Sequence, residues 1–255
     1  MKIGITERGD AALDLSWVDK LKYVDGAILI TKNCGKKEFL DSLSKSEKPI
    51  ILHATCTGMG GTHMEPNVPS PLSQINVIKR IIRTGILLAK KIVIRIDPIY
   101  PFDLWYLSHL LNNINREFTT EEIKEMRFRV SVMDFYPHTK DRLKLYGYKV
   151  TKGFQAYPEQ FEKISNLLSV YTHMTFETCA EDKLTGDNVK HIGCVSEEDI
   201  RRMGLDPKEN LTVNPQNRNG CLCLSCKTEL LNNKYRCPHK CLYCYWKDNP
   251  KMEEK

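Results

Sequence analysis

The sequence predicts an α/β fold built on parallel strands, either a (β/α) barrel or a doubly wound sheet. Short β-branched runs recur along the first two thirds of the chain, and segments with helical spacing separate them. Hydrophobic residues make up 41% and charged residues 27% of 255 residues, enough for a full core in one large unit or two small ones.

The expected strands are Lys2–Thr6, Ala27–Thr31, Pro49–Thr55, Lys91–Ile96, Arg127–Met133 and Met174–Thr178. Each is mainly apolar and ends in polar or glycine-bearing residues, the pattern of buried parallel strands. Between them, Pro71–Lys90 reads as the clearest helix. Ser70 suits its N-cap and Pro71 its first position, and Ile75, Ile78, Ile82 and Ile86 form one stripe. Further helices are expected over Lys37–Ser44, Phe102–Asn113, Pro158–Val170 and Ser196–Met203. Residues 1–204 are read as the β/α unit. Residues 205–255, rich in Asn, Cys and Lys with little periodicity, are read as a segment that needs metal to fix it.

The N-terminus shows no basic region followed by an apolar one, and no stretch offers the roughly 18 apolar residues of a membrane span. A cytoplasmic protein without membrane contact is expected. Ten cysteines in a reducing compartment argue for metal ligation or catalysis rather than disulfides. Six of them, Cys221, Cys223, Cys226, Cys237, Cys241 and Cys244, crowd into 24 residues. The net charge of +6 is compatible with a nucleic-acid partner without demanding one.

Cys237, Cys241 and Cys244 have the spacing C-x3-C-x2-C with Tyr243 before the last cysteine. Three thiolates on one tight loop suit three irons of a cubane, leaving the fourth iron open to a chelating ligand. Zinc is the rival, with Cys223/Cys226 and Cys241/Cys244 as paired ligands, but that arrangement leaves Cys237 idle.

The motif resembles the signature of the radical-SAM superfamily. The resemblance implies a [4Fe-4S] cluster that binds S-adenosylmethionine (SAM) and splits its sulfonium with one electron. The resulting 5′-deoxyadenosyl radical abstracts hydrogen from a substrate, Tyr243 lies near the adenine, and a donor such as flavodoxin or ferredoxin supplies the electron. In that superfamily the motif follows the first barrel strand, whereas here it lies near the C-terminus. A circularly permuted, partial TIM-like barrel is therefore expected, with Thr228–Arg236 beside Lys2–Thr6.

More of the chain resembles a family described as a domain of unknown function, distantly related to spore photoproduct lyase, with this same C-terminal motif. The resemblance is carried by Arg8, Asp10, Thr31-Lys32-Asn33, Thr57-Gly58-Met59-Gly60, Glu65-Pro66-Asn67-Val68-Pro69, Arg95-Ile96-Asp97-Pro98-Ile99, Glu177-Thr178-Cys179-Ala180-Glu181, Cys194, Cys221-Leu222-Cys223 and the final motif. The stretch Thr6–Ala12 departs from the pattern, Cys34 stands where proline is usual, and Cys226 is additional. The relation implies a radical-SAM enzyme acting on a nucleobase in DNA or RNA. The alternatives are a peptide or small-metabolite substrate, or a non-catalytic iron–sulfur or zinc module.

Cys179, Cys194, Cys221 and Cys223 number four, the complement of a closed cubane, so a second cluster is proposed there. Buried apolar cysteines or a zinc site are the other readings. The SAM or substrate pocket is expected from Arg8, Asp10, Lys32, Thr57, Gly58, Glu65, Asn67, Arg95, Asp97, Glu177 and Tyr243, because strand ends line the mouth of such barrels. Arg8, Lys32 and Arg95 together suit an anionic group, or else Glu65, Asp97 and Glu177 pair with such cations in a charge network. The Gly58–Gly61 loop reads as a strand-to-helix turn beside the site. His53 and His63 are proton-donor candidates, more often simply hydrogen-bonded, and His239 either packs over the cluster or faces solvent. Cys34 and Cys56 are candidate hydrogen donors. The basic residues Lys79, Arg80, Arg83, Lys90 and Lys91 read as the solvated face of an outer helix rather than a nucleic-acid surface.

Overall fold

A computed structural model describes residues 1–207, 211–213, 220–231 and 237–247. The charged tail beyond Lys247 and part of the Cys-rich segment lie outside the described residues. The order of elements is β1 (Ile3–Ile5), α1 (Trp17–Lys20), β2 (Gly26–Thr31), α2 (Lys37–Ser44), β3 (Ile50–Thr55), α3 (Pro71–Arg83), β4 (Ile92–Ile99), α4 (Trp105–Glu117), α5 (Thr120–Glu125), β5 (Arg127–Val132), α6 (Pro137–Leu145), α7 (Pro158–Ser169), β6 (Phe176–Thr178), β7 (Val189–His191), α8 (Glu197–Met203) and β8 (Lys227–Glu229).

The strands form one eight-stranded sheet in the order β7-β6-β5-β4-β3-β2-β1-β8, parallel at every pairing. From β1 to β7 spatial order follows chain order, and β8 alone returns to the far side of β1. Its register sets Ile3 against Lys227 and Ile5 against Glu229. Thr228 and Glu229 thus lie beside the first strand as expected, while residues 232–236 fall outside the described part. The fold is α/β, with a partial barrel-like parallel sheet whose edges are β7 and β8.

Both faces of the sheet are covered, which explains why its strands read as continuous apolar runs. Leu29, Leu52, Ile94, Phe128 and Phe176 point to one side, where Ile75, Ile78 and Ile81 of α3, Leu110 and Ile114 of α4, and Phe161 and Ile164 of α7 pack on them. Ile3, Ile5, Ile28, Ile51 and Val93 face the other side and meet Val195, Ile200 and Met203 around α8, with Leu224. Each such side chain contributes roughly 1.5–3 kcal/mol by leaving water, so this double-faced core dominates stability.

Helix ends follow local chemistry. The Ser70 hydroxyl accepts from Ser73 N at 3.3 Å and Pro71 opens α3, as expected. However, α3 ends at Arg83, not Lys90, because Gly85 turns left-handed (φ 72°) and the chain bends back to bury Leu87 and Ala89. Ile81 rather than Ile82 therefore completes the buried stripe, with Ile82 and Ile86 partly covered at its border. α4 begins at Trp105, three residues later than expected, where the Asp103 carboxylate accepts from Trp105 N at 3.0 Å.

Candidate metal centres

The C-x3-C-x2-C loop lies over the C-terminal ends of β1, β2 and β3, and side chains from those ends hold it there. Asp10, just beyond β1, accepts from Thr31 Oγ1 (2.6 Å), Lys32 N (2.8 Å) and Ala12 N (3.0 Å). Oδ2, the oxygen that accepts from Lys32 N, also meets His239 Nε2 at 2.8 Å, inside the cysteine loop. The second ring nitrogen of His239 faces the Asn67 carbonyl at 3.1 Å, and Asn67 Nδ2 donates to Pro238 O at 2.6 Å. The imidazole lies between the Asp10 carboxylate and the Asn67 carbonyl. His239 is buried rather than solvent-facing. Leu242 N donates to Met64 O (3.0 Å), and Arg142 of α6 donates to the carbonyls of Leu242, Cys244 and Lys247.

Beneath this loop Glu65, 1% exposed, is the hub of a second network. Lys32 Nζ donates to Glu65 Oε1 and to the Tyr243 hydroxyl, both at 2.8 Å, Thr57 Oγ1 donates to Glu65 Oε2 at 2.7 Å, and Tyr243 donates to Glu65 as well. Burial pushes the Glu65 carboxyl up, but the charge of Lys32 and the hydrogen bonds from Lys32, Tyr243 and Thr57 outweigh it and hold the group below its ordinary value. Asp10 behaves alike: burial raises it, while His239, Lys32 N and Thr31 bring it net down. Burial pushes the Cys241 thiol up to about 12 against the opposing charge of Lys32. A bound metal reverses that preference, because a coordinating thiol loses its proton.

The second group of cysteines is assembled from separate segments. Cys179 follows β6, Cys194 lies three residues after β7, and Cys221 and Cys223 precede β8. The sulfurs of Cys179, Cys221 and Cys223 lie within 4.8 Å of one another, the one such group among the described residues. Cys194 lies beside this triad, its N–H pointing at the Cys223 sulfur (3.2 Å). The neighbouring thiols of Cys179 and Cys223, ahead of the charges of Arg95 and Arg129, draw Cys194 well below the ordinary thiol range despite burial, while Cys179 and Cys223 are driven up. This set could hold a metal ion or an iron–sulfur group.

Backbone geometry brings these loops together. Ala180 adopts a left-handed conformation (φ 57°) that reverses the chain after Cys179. At Gly193 a Cβ would meet Leu222 O at 2.3 Å and Cys223 N at 2.7 Å, so only glycine allows the Cys194 loop this close to the Cys221–Cys223 loop.

The remaining candidates divide between pairs and isolated positions. Lys32 pairs with Glu65, Arg95 with Asp97 through Nε at 2.8 Å, and Glu177 with Arg127 and Arg129. The charge-network arrangement is the one present. Arg8 is exposed, its N–H donating to Glu229 at 3.2 Å. Gly58 is left-handed (φ 86°), and a Cβ there would strike the Tyr106 carbonyl at 2.4 Å, so it serves a tight turn against α4. His53 is wholly buried with neither ring nitrogen partnered among the described residues, and burial, then the charges of Arg129, Arg95 and Arg127, lower its pKa well below the ordinary histidine value. His63 is exposed beside Tyr146. Cys34 and Cys56 are buried thiols raised by burial, Cys56 to about 12. Cys226 packs among the apolar residues of β1 and α8. Of the basic residues on and after α3, Lys79 pairs with Glu117 while Arg80, Arg83 and Lys90 are exposed.

Several residues of this region carry no motif. Arg142 gave no sequence signal at all. Arg127 and Arg129 did: in Arg-Phe-Arg, strand alternation sends both arginines to the face opposite Phe128. Arg127 also meets Asp199 of α8.

A family model described as a domain of unknown function, DUF1848, matches residues 15–246. The chain belongs to DUF1848. No curated protein matches it. The DUF1848 match encloses every strand except β1, and both cysteine groups. Among the described residues, no helix of this DUF1848 chain is long and apolar enough to cross a membrane.

Proposed function

We propose that this chain is a radical-SAM enzyme in which Cys237, Cys241 and Cys244 ligate a [4Fe-4S] cluster and the β1–β3 ends shape the SAM and substrate pocket. One observation carries the reading. The cysteine loop follows β8, the strand that stands ahead of β1 in the sheet, and lies at the C-terminal strand ends. Moving β8 to the front of the chain yields a partial barrel whose first strand leads into the three-cysteine loop, so the permuted order fits residues 1–204 completed by residues 205–255.

The donor set suits such a cluster: three thiols in one loop, with the Lys32 ammonium opposing part of the burial that holds the Cys241 thiol protonated before a metal binds. When bound, a cubane with a free corner supplies a chelation site for SAM and the electron that cleaves its sulfonium. The protein's own residues do the positioning. Asp10, Asn67 and Arg142 fix the loop through His239 and its carbonyls, and Glu65 orients Lys32 and Tyr243 beside it. Arg8, Thr57, Gly58, Arg95, Asp97 and Glu177 complete the proposed pocket surroundings. Cys179, Cys194, Cys221 and Cys223 ligate a second, closed iron–sulfur centre in this reading. A single zinc ion is the rival there, because three sulfurs within 4.8 Å also suit one tetrahedral ion.

The substrate proposed is a nucleobase in DNA or RNA, by the resemblance to spore photoproduct lyase, with a peptide or small metabolite as the alternative. An electron donor of the flavodoxin or ferredoxin kind and a cytoplasmic setting accompany either. The test is anaerobic reconstitution followed by reduction with SAM, scoring 5′-deoxyadenosine with and without nucleic acid. Product from the native chain and none from Cys241→Ala is the expected result. Colourless protein holding tight zinc would overturn the reading, and product formation indifferent to any nucleic acid would move the substrate to the alternative class.

A further inference from the structure

The inner face of β4–β6 holds charged groups whose hydrogen bonds are incomplete. Arg95 and Arg129 stand directly opposite each other in the β4–β5 ladder, and Arg129 stands opposite Glu177 in the β5–β6 ladder. Like charges opposed across strands repel, and burial sharpens the repulsion. Carboxylates take one edge of each guanidinium: Asp97 binds Nε and Nη2 of Arg95, and Glu177 binds Nη2 of Arg129. Nη1 of Arg95 and both Nε and Nη1 of Arg129 are buried with no acceptor among the described residues. Leaving buried N–H groups of a cation without an acceptor is costly, so an acceptor belongs beside them.

The four-cysteine group is beside them. Glu177, which Arg129 binds at 2.8 Å, sits two residues before Cys179 at the same strand end, and Arg95 stands opposite Arg129 on the neighbouring strand. A centre ligated by four thiolates is anionic, and its sulfurs accept hydrogen bonds.

We infer that Arg95 and Arg129 form a cationic cradle for the four-cysteine centre and raise the reduction potential of the iron–sulfur group held there. The inference rests on the iron–sulfur reading of that centre given under the proposed function. Adding one electron makes such a group more negative, and adjacent guanidiniums stabilise the reduced form more than the oxidised one. Removing either cation therefore lowers the midpoint potential. Arg95 and Arg129 are positioning residues in this role, since neither ligates the metal.

The experiment uses the full chain carrying Cys237→Ala, Cys241→Ala and Cys244→Ala, so that iron reports on the second centre alone. The midpoint is followed by electron paramagnetic resonance during titration with a low-potential one-electron reductant. Arg129→Gln is expected to shift the equilibrium at least tenfold toward the oxidised form, about 59 mV lower for a one-electron couple. Arg129→Lys, which keeps the charge, is expected to retain more than half of the native value. Arg95→Gln provides an independent variant, because its partner Asp97 lies outside the Glu177 network. Full iron loading with native midpoints in both glutamine variants would overturn the cradle while leaving the centre in place. A triple-cysteine variant that binds no iron would overturn the centre and the cradle together, and would leave the three-cysteine loop of the proposed function to be judged by its own product assay.

Discussion

The two cysteine groups of this protein are built by opposite strategies. Cys237, Cys241 and Cys244 fall within eight residues of one another on a single loop, and the rest of the fold grips that loop from outside through Asp10, Asn67 and Arg142. Cys179, Cys194, Cys221 and Cys223 come from three segments spread over 45 residues, and backbone packing at Gly193 gathers them. The first group has three thiols beside a lysine; the second has four beside two arginines. A local motif needs external clamps, whereas a non-local set needs its supporting loops to fit.

The sharpest way to break this comparison is to remove one sulfur from each group. Cys241→Ala is expected to abolish 5′-deoxyadenosine formation and to leave about half of the roughly eight irons expected of two cubanes. Cys223→Ala is expected to lose a similar share of iron while the loop retains its cluster. Iron analysis and the product assay read both. Equal loss of all iron in either variant would show that the groups are one cooperative unit.

This contrast also explains what could be read from the chain. The three-cysteine loop was visible because its ligands are close in sequence, and Lys32, Glu65 and Asp97 stood out at strand ends. β2 to β5 were visible because both faces are buried. β7 and β8 were not assigned as strands: Val189-Lys190-His191 and Lys227-Thr228-Glu229 are short, polar and at sheet edges, so no apolar run marks them. The pairing of β8 with β1 was reached through motif position, not strand propensity. α5 was missed although Thr119 and Glu122 form a capping box, since six residues show too little periodicity. α6 was missed because its sequence is polar on most sides, and with it went Arg142. The roles of His239 and Arg129 depend on residues tens to hundreds of positions away, which no local pattern encodes.

Gly193→Ala sharpens the comparison without touching a ligand. The new methyl group meets backbone atoms of Leu222 and Cys223, which cannot swing aside, and such overpacking costs about 3 kcal/mol. Iron in the four-cysteine group is expected to fall while the three-cysteine loop keeps its share. Native iron content in this variant would show that the two backbones need not be so close.

The clamp side is tested by charge. Lys32→Met leaves the Glu65 carboxylate buried without its cation, a change that costs about 3 kcal/mol and some 6–12 °C in Tm. The pH dependence follows from the direction of the shifts. Glu65 and Asp10 are both held below their ordinary values, so their stabilisation is present above the unfolded carboxylate pKa of about 4 and is lost as pH falls through the lowered folded values. Glu65→Gln and Asp10→Asn are therefore expected to be less stable than the native chain at pH 7 and to lose less on acidification. Thermal melts between pH 7 and pH 3 measure this, and parallel curves for native and variant chains would contradict it.

The smallest expected effect lies at the N-cap of α8, two residues after Cys194. The Ser196 hydroxyl accepts from Asp199 N, and the Asp199 carboxylate accepts from Ser196 N and Oγ, closing a capping box, while Arg127 binds the same carboxylate from β5. Ser196→Ala removes one cap bond and leaves the Arg127–Asp199 pair, so it is expected to cost about 1 kcal/mol. Because the Cys194 backbone is held independently, through its N–H to the Cys223 sulfur and through Gly193 against Leu222, iron content is expected to stay native. A large loss of iron from so mild a change would mean that α8, rather than the packed loops, sets the position of the fourth sulfur.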